Sequence, residues 1–455
     1  MLMAGVQYLL LGVYLIVPVA SIFHALRRRR RTGSNGPLIN VMLAYLGGIG
    51  IGIAVVLING RLMGGNVPAD EALRLIYLAV AAMCVLRIVD RVLLRGVFHF
   101  MRVTVDKHGR IRRPHQPRAL LILLGQRVAM MGLVLAYVFA LLLTYRPKVV
   151  HERVNPSVLK LPYADARFAA ADRTALAGWW IPALTRPRGT EGEAAEQWGR
   201  RTVLLCHGVG AGKEHMLGMA WLLASRGYNA LVFDFRGHGH SGGNFISYGD
   251  RERQDVLAAL RWVKANHPGE AERVFGLGMN VGAAALLAAA SETEGDGIDA
   301  LVLYEPYARF ETLAGVTARR LLPAGVSWLF EKISLPIASL HAGSNLMSFS
   351  PAEYAHRVWP RPVLVIHGRG ETFVPVSEGM DVYQQAMWPK EQFWPADNYM
   401  ASRDRLKRLS ATRESAMLIQ MFRDWLGTQH NVTSDTGAQY RTLKFLREAQ
   451  SVPVL

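Results

Sequence analysis

Only two cysteines, Cys84 and Cys206, occur in the 455 residues of this chain. At most one disulfide is available, and a bond between them is not expected. Cys84 sits in an apolar helix-like run and Cys206 near the end of a strand-like one, so both read as small buried side chains. Acidic residues are scarce at one end. Residues 1–150 hold 4 Asp and Glu against 19 Lys and Arg, whereas residues 151–455 hold 31 against 33. The net charge of +17 therefore belongs almost wholly to the first third. A basic nucleic-acid face on the remainder is not expected. Metal-ligand spacing is missing too, with no H-x-x-x-H pair and no Cys/His cluster. Gly208 to Lys213 is glycine-rich but lacks the phosphate-loop spacing, and no dinucleotide-binding G-x-G-x-x-G follows the strand-like run Thr202 to Cys206. No metal and no cofactor are expected, and no internal repeat is visible.

What the first third does contain is apolar length. Four segments stand out, at about residues 3–26, 38–58, 72–94 and 119–143, where a membrane crossing needs about 20 predominantly apolar residues. The third is interrupted by Arg74 and Arg87, which can snorkel toward opposite interfaces. The first is a poor cleavable signal: no positive charge precedes it, and Arg27 to Arg31 follow it at once. Those arginines and the basic loop from Arg95 to Arg118 should both face the cytoplasm. Four spans satisfy this, leaving the bilayer as a partner and everything after Tyr145 extracytoplasmic. Asp90 and Arg127 lie in or near the cytoplasmic halves of the third and fourth segments. They could pair with each other, or Asp90 could pair with Arg87 on its own helix. The default role of residues 1–150 is anchoring.

The rest of the chain alternates. Arg167 to Pro182 reads as a hairpin with its turn near Ala171 to Thr174, and residues 186–201 as a surface loop. Strand-like runs follow at Thr202 to Cys206, Ala230 to Phe235, Val274 to Met279, Ala300 to Tyr304, Val363 to His367 and Gln392 to Trp394. Helical stretches lie between them, near residues 250–266, 376–388 and 411–427. That pattern indicates an α/β domain with a mostly parallel sheet covered on both faces. Val274-Phe-Gly-Leu-Gly-Met-Asn-Val-Gly-Ala283 opens into a run of small residues. It reads as strand, sharp turn and closely packed helix.

The motifs occur in a recognisable order: His207-Gly208 after a core strand, Asp234-x-Arg-Gly-His-Gly-x-Ser241, the turn Gly278-x-Asn280-x-Gly282, and His367-Gly-x-x-Glu371 before Val374-Pro375. Together they resemble the α/β-hydrolase superfamily in its serine-aminopeptidase and monoacylglycerol-lipase-like branch, over about residues 167–427. The resemblance implies a hydrolase domain at 151–428, a cap or lid at 305–360 and a C-terminal tail at 429–455. It also places the nucleophile at Asn280, the acid at Glu371 and the histidine at Asn398, or less favourably Tyr399. No histidine occurs between His367 and His430. Oxyanion donors would be the backbone amides of Val209 and Val281. His207, His238 and His367 read as loop-ordering groups, while His240 lies on the wrong loop for a base.

An amide cannot be turned into a nucleophile by a histidine, and here two of three triad positions are amides. The preferred reading is a membrane-anchored, catalytically degenerate serine-hydrolase homologue acting as a binding or scaffold module, with a small acyl or lipid molecule as candidate ligand. The alternative is an active ester or lipid hydrolase using a non-standard site. A third reading makes the membrane segments themselves the functional unit.

Overall fold

The structure is a computed structural model, and it describes residues 2–63, 69–100, 117–145, 148, 154–186, 196–321, 324–371, 373–395 and 436–449. The chain divides into two compact units, residues 1–147 with 322–345, and residues 148–321 with 346–455.

The first unit is helical. Its long helices are α1 (Leu2–Thr32), α2 (Gly36–Met63), α3 (Ala69–Phe100) and α4 (Pro117–Thr144). Three stretches, Gly36–Leu57, Ala72–Leu93 and Leu124–Thr144, are long and apolar enough to cross a membrane. The expected first span forms α1, and its side chains before residue 16 lie outside the described residues. Apolar side chains point outward along these helices: Leu46, Leu121 and Val128 are each more than 60% exposed. Water would oppose such a surface, whereas lipid would not.

Close packing between α2 and α3 comes from glycine. A Cβ on Gly48 would collide with the backbone of Val80, and one on Gly52 with the backbone of Ile76. This is a small-xxx-small contact, in which missing side chains let two helix backbones touch. Asp90 accepts a hydrogen bond from Gln126 Nε2 on α4 at 2.9 Å. The Arg127 side chain itself lies outside the described residues.

The segment expected to be a cap divides between the units. Its helix Ala324–Ala342 belongs to the helical unit, packing on α4 with the Tyr137 and His341 rings edge to face at 5.4 Å.

The second unit is built on one sheet of eight strands: β1 (Ala164–Ala169), β2 (Ala175–Ile181), β3 (Arg201–Cys206), β4 (Tyr228–Phe233), β5 (Arg273–Met279), β6 (Ala300–Tyr304), β7 (Val363–Ile366) and β8 (Lys390–Phe393). Their spatial order is β1-β2-β4-β3-β5-β6-β7-β8. The β1–β2 hairpin is antiparallel and joins β4 antiparallel; every later pair is parallel. Asp172 closes the hairpin turn by accepting from the amide and hydroxyl of Thr174.

Strand periodicity sorts the core into two layers. Val203, Leu205, Ala230, Val232, Val302 and Tyr304 face one layer, covered by α5 (Leu217–Ala224). Leu204, Cys206, Leu231, Phe233, Leu301 and Leu303 face the other, where helices α6 (Glu252–Asn266) and α7 (Val281–Ala290) pack. Helices α8 (Phe310–Leu321) and α10 (Val376–Gln385) complete this unit together with α11 (Thr436–Glu448); α9 is the Ala324–Ala342 helix of the other unit. Where a C-terminal tail was expected, α11 instead buries Ala438, Phe445 and Leu446 in the α5 layer, and its Thr442 hydroxyl bonds the Tyr304 hydroxyl at 2.7 Å. The helix expected at 411–427 lies outside the described residues.

Candidate active site

In a parallel sheet of this kind, ligands bind outside the carboxyl ends of the strands, at the point where strand order reverses. That point is β3, flanked by β4 on one side and β5 on the other. The two segments that leave the sheet there are His207-Gly208-Val209 after β3 and Asn280-Val281 after β5.

Glycine brings them together. A Cβ on Gly282 would collide with the carbonyl oxygens of Cys206 and His207, and one on Gly278 would strike the backbone of Gly282 and Ala283. A Cβ on Gly276 would meet the side chain of Leu286. The sequence Gly-Leu-Gly-Met-Asn-Val-Gly is thus what lets α7 turn back tightly over its own strand and against the end of β3. At the apex Asn280 has φ 49° and ψ −109°, a conformation rare for a residue with a side chain. This is the strained strand-to-helix turn on which α/β-hydrolases carry their nucleophile.

Asn280 is buried. Its own amide donates to Tyr304 O at 2.8 Å, tying the apex to the end of β6. Its side-chain Oδ1 accepts from the amide of Val281 at 2.9 Å, capping the first turn of α7. The Val281 amide is one of the two expected oxyanion donors. The donor expected from Val281 is thus engaged by the Asn280 side chain.

The other expected residues are spread along the same edge. Glu371 follows β7, two strands from β5, and its Oε1 accepts from the Phe373 amide at 2.5 Å. Asn398 and Tyr399 lie outside the described residues. The described residues thus bring the Asn280 turn against Cys206 and His207 at the end of β3, with Glu371 further along the sheet.

The histidines are buried in loop-ordering contacts. His207 Nε2 accepts from the Phe235 amide at 3.0 Å, and burial together with nearby His238 pushes its pKa down to about 3. A neutral ring fits its role as acceptor. His238 Nδ1 lies 3.0 Å from Arg236 O, and His367 Nε2 lies 2.8 Å from Val374 O.

Two features escaped the sequence reading. Lys213, in the glycine-rich loop after β3, is buried with its ammonium 2.5 Å from Asp234 Oδ2, 3.0 Å from His240 Nδ1 and over the Trp179 ring. Burial opposes ionisation of Asp234, but the adjoining Lys213 holds its carboxyl below the usual range. Next to Lys213, burial and the Asp234 charge push Glu214 up to about 7. The second feature is Glu305, buried at the end of β6 with φ 48° and its amide on Ile366 O at 2.8 Å. It is the residue after the one that holds the Asn280 amide. Its only signal in the sequence was a carboxylate closing an apolar strand, Leu303-Tyr304-Glu305-Pro306.

No group of three or more His, Cys, Asp or Glu side chains with metal-binding geometry occurs among the described residues. Both cysteines are free and buried.

Residues 198–350 match the family Hydrolase_4, serine aminopeptidase S33. YqkD of Bacillus subtilis is 32% identical over 194 residues, 42% of this chain and 61% of its own length. The lysophosphatidylserine lipase ABHD12 of Danio rerio is 27% identical over 224 residues, 48% of this chain and 55% of that protein. The chain thus spans less than two thirds of each of these relatives. Among solved structures, the Pyrococcus furiosus esterase Pf2001 aligns with a TM-score of 0.44 and 24% identity, covering 58% of this chain and 95% of that one. The strand order, the glycine-built elbow and the matched family agree that the globular domain has the α/β-hydrolase fold.

Proposed function

We propose that this is a membrane-anchored α/β-hydrolase-fold protein that has lost serine-hydrolase chemistry and serves as a binding or scaffold module. The observation that carries this reading is the bond from the Val281 amide to Asn280 Oδ1. The nucleophile position holds an amide, and that amide's oxygen takes up a donor that catalysis would need free. Both changes act against acyl transfer: no attacking group is present, and transition-state stabilisation worth about 3–4 kcal/mol per oxyanion donor is blocked. The ligand class best matched is a small acyl or lipid molecule, in keeping with the apolar anchor and with the lipase named among the relatives. Both arginine-rich segments facing inward would put the globular domain on the extracytoplasmic side.

A second reading, an active ester or lipid hydrolase with a non-standard site, draws on the buried Glu305 carboxylate beside the elbow and on the same lipase relative. The two readings separate in a turnover assay on the full chain, using short-chain p-nitrophenyl esters and lysophospholipids with Asn280→Ala and Glu305→Gln alongside. Turnover of the unmodified protein equal to that of both variants supports the degenerate site. Turnover that either substitution removes, while the fold is retained, establishes the active one. For orientation, a reporter fused after residue 427 should be active only outside the cytoplasm, and cytoplasmic activity reverses the assignment.

A further inference from the structure

The helical unit contains a cavity of about 610 Å³ between α2, α3 and α4. It is chemically two-ended. Met83, Met130, Met131 and Val134 line it with flexible apolar side chains, while Asn40, Arg87, Asp90 and Arg91 supply polar groups. The sequence places these ends in order along the helices. Asn40 lies early in α2, a few residues from the arginine run that ends α1. Arg87, Asp90 and Arg91 lie on α3 about one to two turns beyond Met83. The apolar end is therefore deeper in the bundle and the cationic end closer to its basic rim. Met131 is 62% exposed, so the cavity opens sideways, toward where lipid would lie.

Its polar end is short of an anion. Arg87 Nη1 is buried and has no hydrogen-bond partner among the described residues. Guanidinium groups inside membrane segments usually face a partner, and a buried donor left without one is costly. Among the described lining residues Asp90 carries the one acidic group, and its carboxylate accepts from Gln126. Two guanidinium groups against one carboxylate give the described lining a net positive charge.

We infer that this cavity is a binding site for an anionic lipid, with the headgroup phosphate on Arg87 and Arg91 and an acyl chain along the methionine-lined wall. Arg is suited to this because its planar fork gives two parallel bonds to phosphate oxygens. Methionine suits a chain of variable shape, being unbranched and adaptable. The inference rests on the helices being in a bilayer and is independent of whether the hydrolase site is active.

The test uses the full chain purified in a nonionic detergent, measuring its thermal midpoint with added dioleoyl phosphatidylglycerol, dioleoyl phosphatidylcholine or inorganic phosphate. The expected result is a rise of several degrees with phosphatidylglycerol, at most a small rise with phosphatidylcholine, and none with phosphate alone. Arg87→Gln should remove at least half of the phosphatidylglycerol effect, Arg87→Lys should keep part of it, and Arg28→Gln on the α1 rim should keep all of it. Met131→Trp should reduce it by filling the apolar end, which keeps the test valid if Arg87→Gln does not fold. Equal shifts with the two lipids, an equal shift with phosphate alone, or a phosphatidylglycerol shift indifferent to both Arg87→Lys and Met131→Trp would overturn the site.

Discussion

The side-chain oxygen of Asn280 accepts the backbone amide of Val281 at 2.9 Å. In an active relative of this fold that amide would point at the reacting carbonyl oxygen. Here it is bonded to the Asn280 side chain. The contact does two things at once: it caps α7, and it helps hold a backbone conformation of φ 49° and ψ −109° that few residues adopt.

Substitutions at the apex should separate these effects. Asn280→Ala removes the cap while keeping a Cβ in a strained conformation, and should cost about 1–2 kcal/mol. Asn280→Gly also loses the cap but relieves the strain, so it should stay within a few tenths of a kcal/mol of the parent. Denaturant midpoints of the full chain in detergent measure both. Equal losses for the two variants would show that strain is not stored at the apex.

Asn280→Ser frees the Val281 amide and supplies a hydroxyl, yet it should leave ester turnover near background. Serine without a general base is a weak nucleophile, and triad members act as a unit. Combining it with Asn398→His should exceed either single change toward an activated short-chain ester. If Asn280→Ser alone reaches the rate of the double change, a base other than one at position 398 already serves the site.

Glu214 gives the globular unit a pH signature. Its folded pKa of about 7 lies above the ordinary 4.5, because burial and the Asp234 charge disfavour its ionised form. The folded state therefore binds the proton more tightly than the unfolded chain. The associated stability is full below pH 4.5 and is lost as pH rises to about 7, an effect on the order of 3 kcal/mol. Glu214→Gln should flatten the fall in thermal midpoint between about pH 5 and 8. A slope unchanged by the substitution would assign the effect to another group.

Lys213 should be intolerant of truncation. Lys213→Met leaves the fully buried Asp234 carboxylate without its cation, and breaking a buried pair in this way costs about 3–5 kcal/mol. Lys213→Met combined with Asp234→Asn should recover much of that loss. No recovery in the double variant would show that packing on Trp179, rather than charge, is what Lys213 supplies.

Much of this architecture was legible in the sequence because it follows from local periodicity. The strand runs alternate with helices, and apolar side chains within each strand divide between the two core layers, as Leu204 and Leu205 do. The elbow was legible because only glycine tolerates the approaches at positions 278 and 282. Contacts that depend on the tertiary arrangement were not legible. Nothing in residues 305–360 announced that Ala324–Ala342 would join the helical unit, since an apolar helix reads alike as a cap or as a bundle member. The helix Thr436–Glu448 reads as part of a C-terminal tail because its buried face is carried by few residues, Ala438, Phe445 and Leu446 among them. The self-capping of Asn280 was invisible, since side-chain direction at a strained turn is not encoded in spacing.

The most direct measurement of the central claim is labelling of the full chain with a broad fluorophosphonate probe, which reacts only with an activated serine. A serine hydrolase of the same fold serves as positive control. No covalent adduct is expected on the native protein by intact mass, at probe concentrations that label the control completely. A stoichiometric adduct mapped to one serine, and abolished by changing that serine to alanine, would contradict that claim.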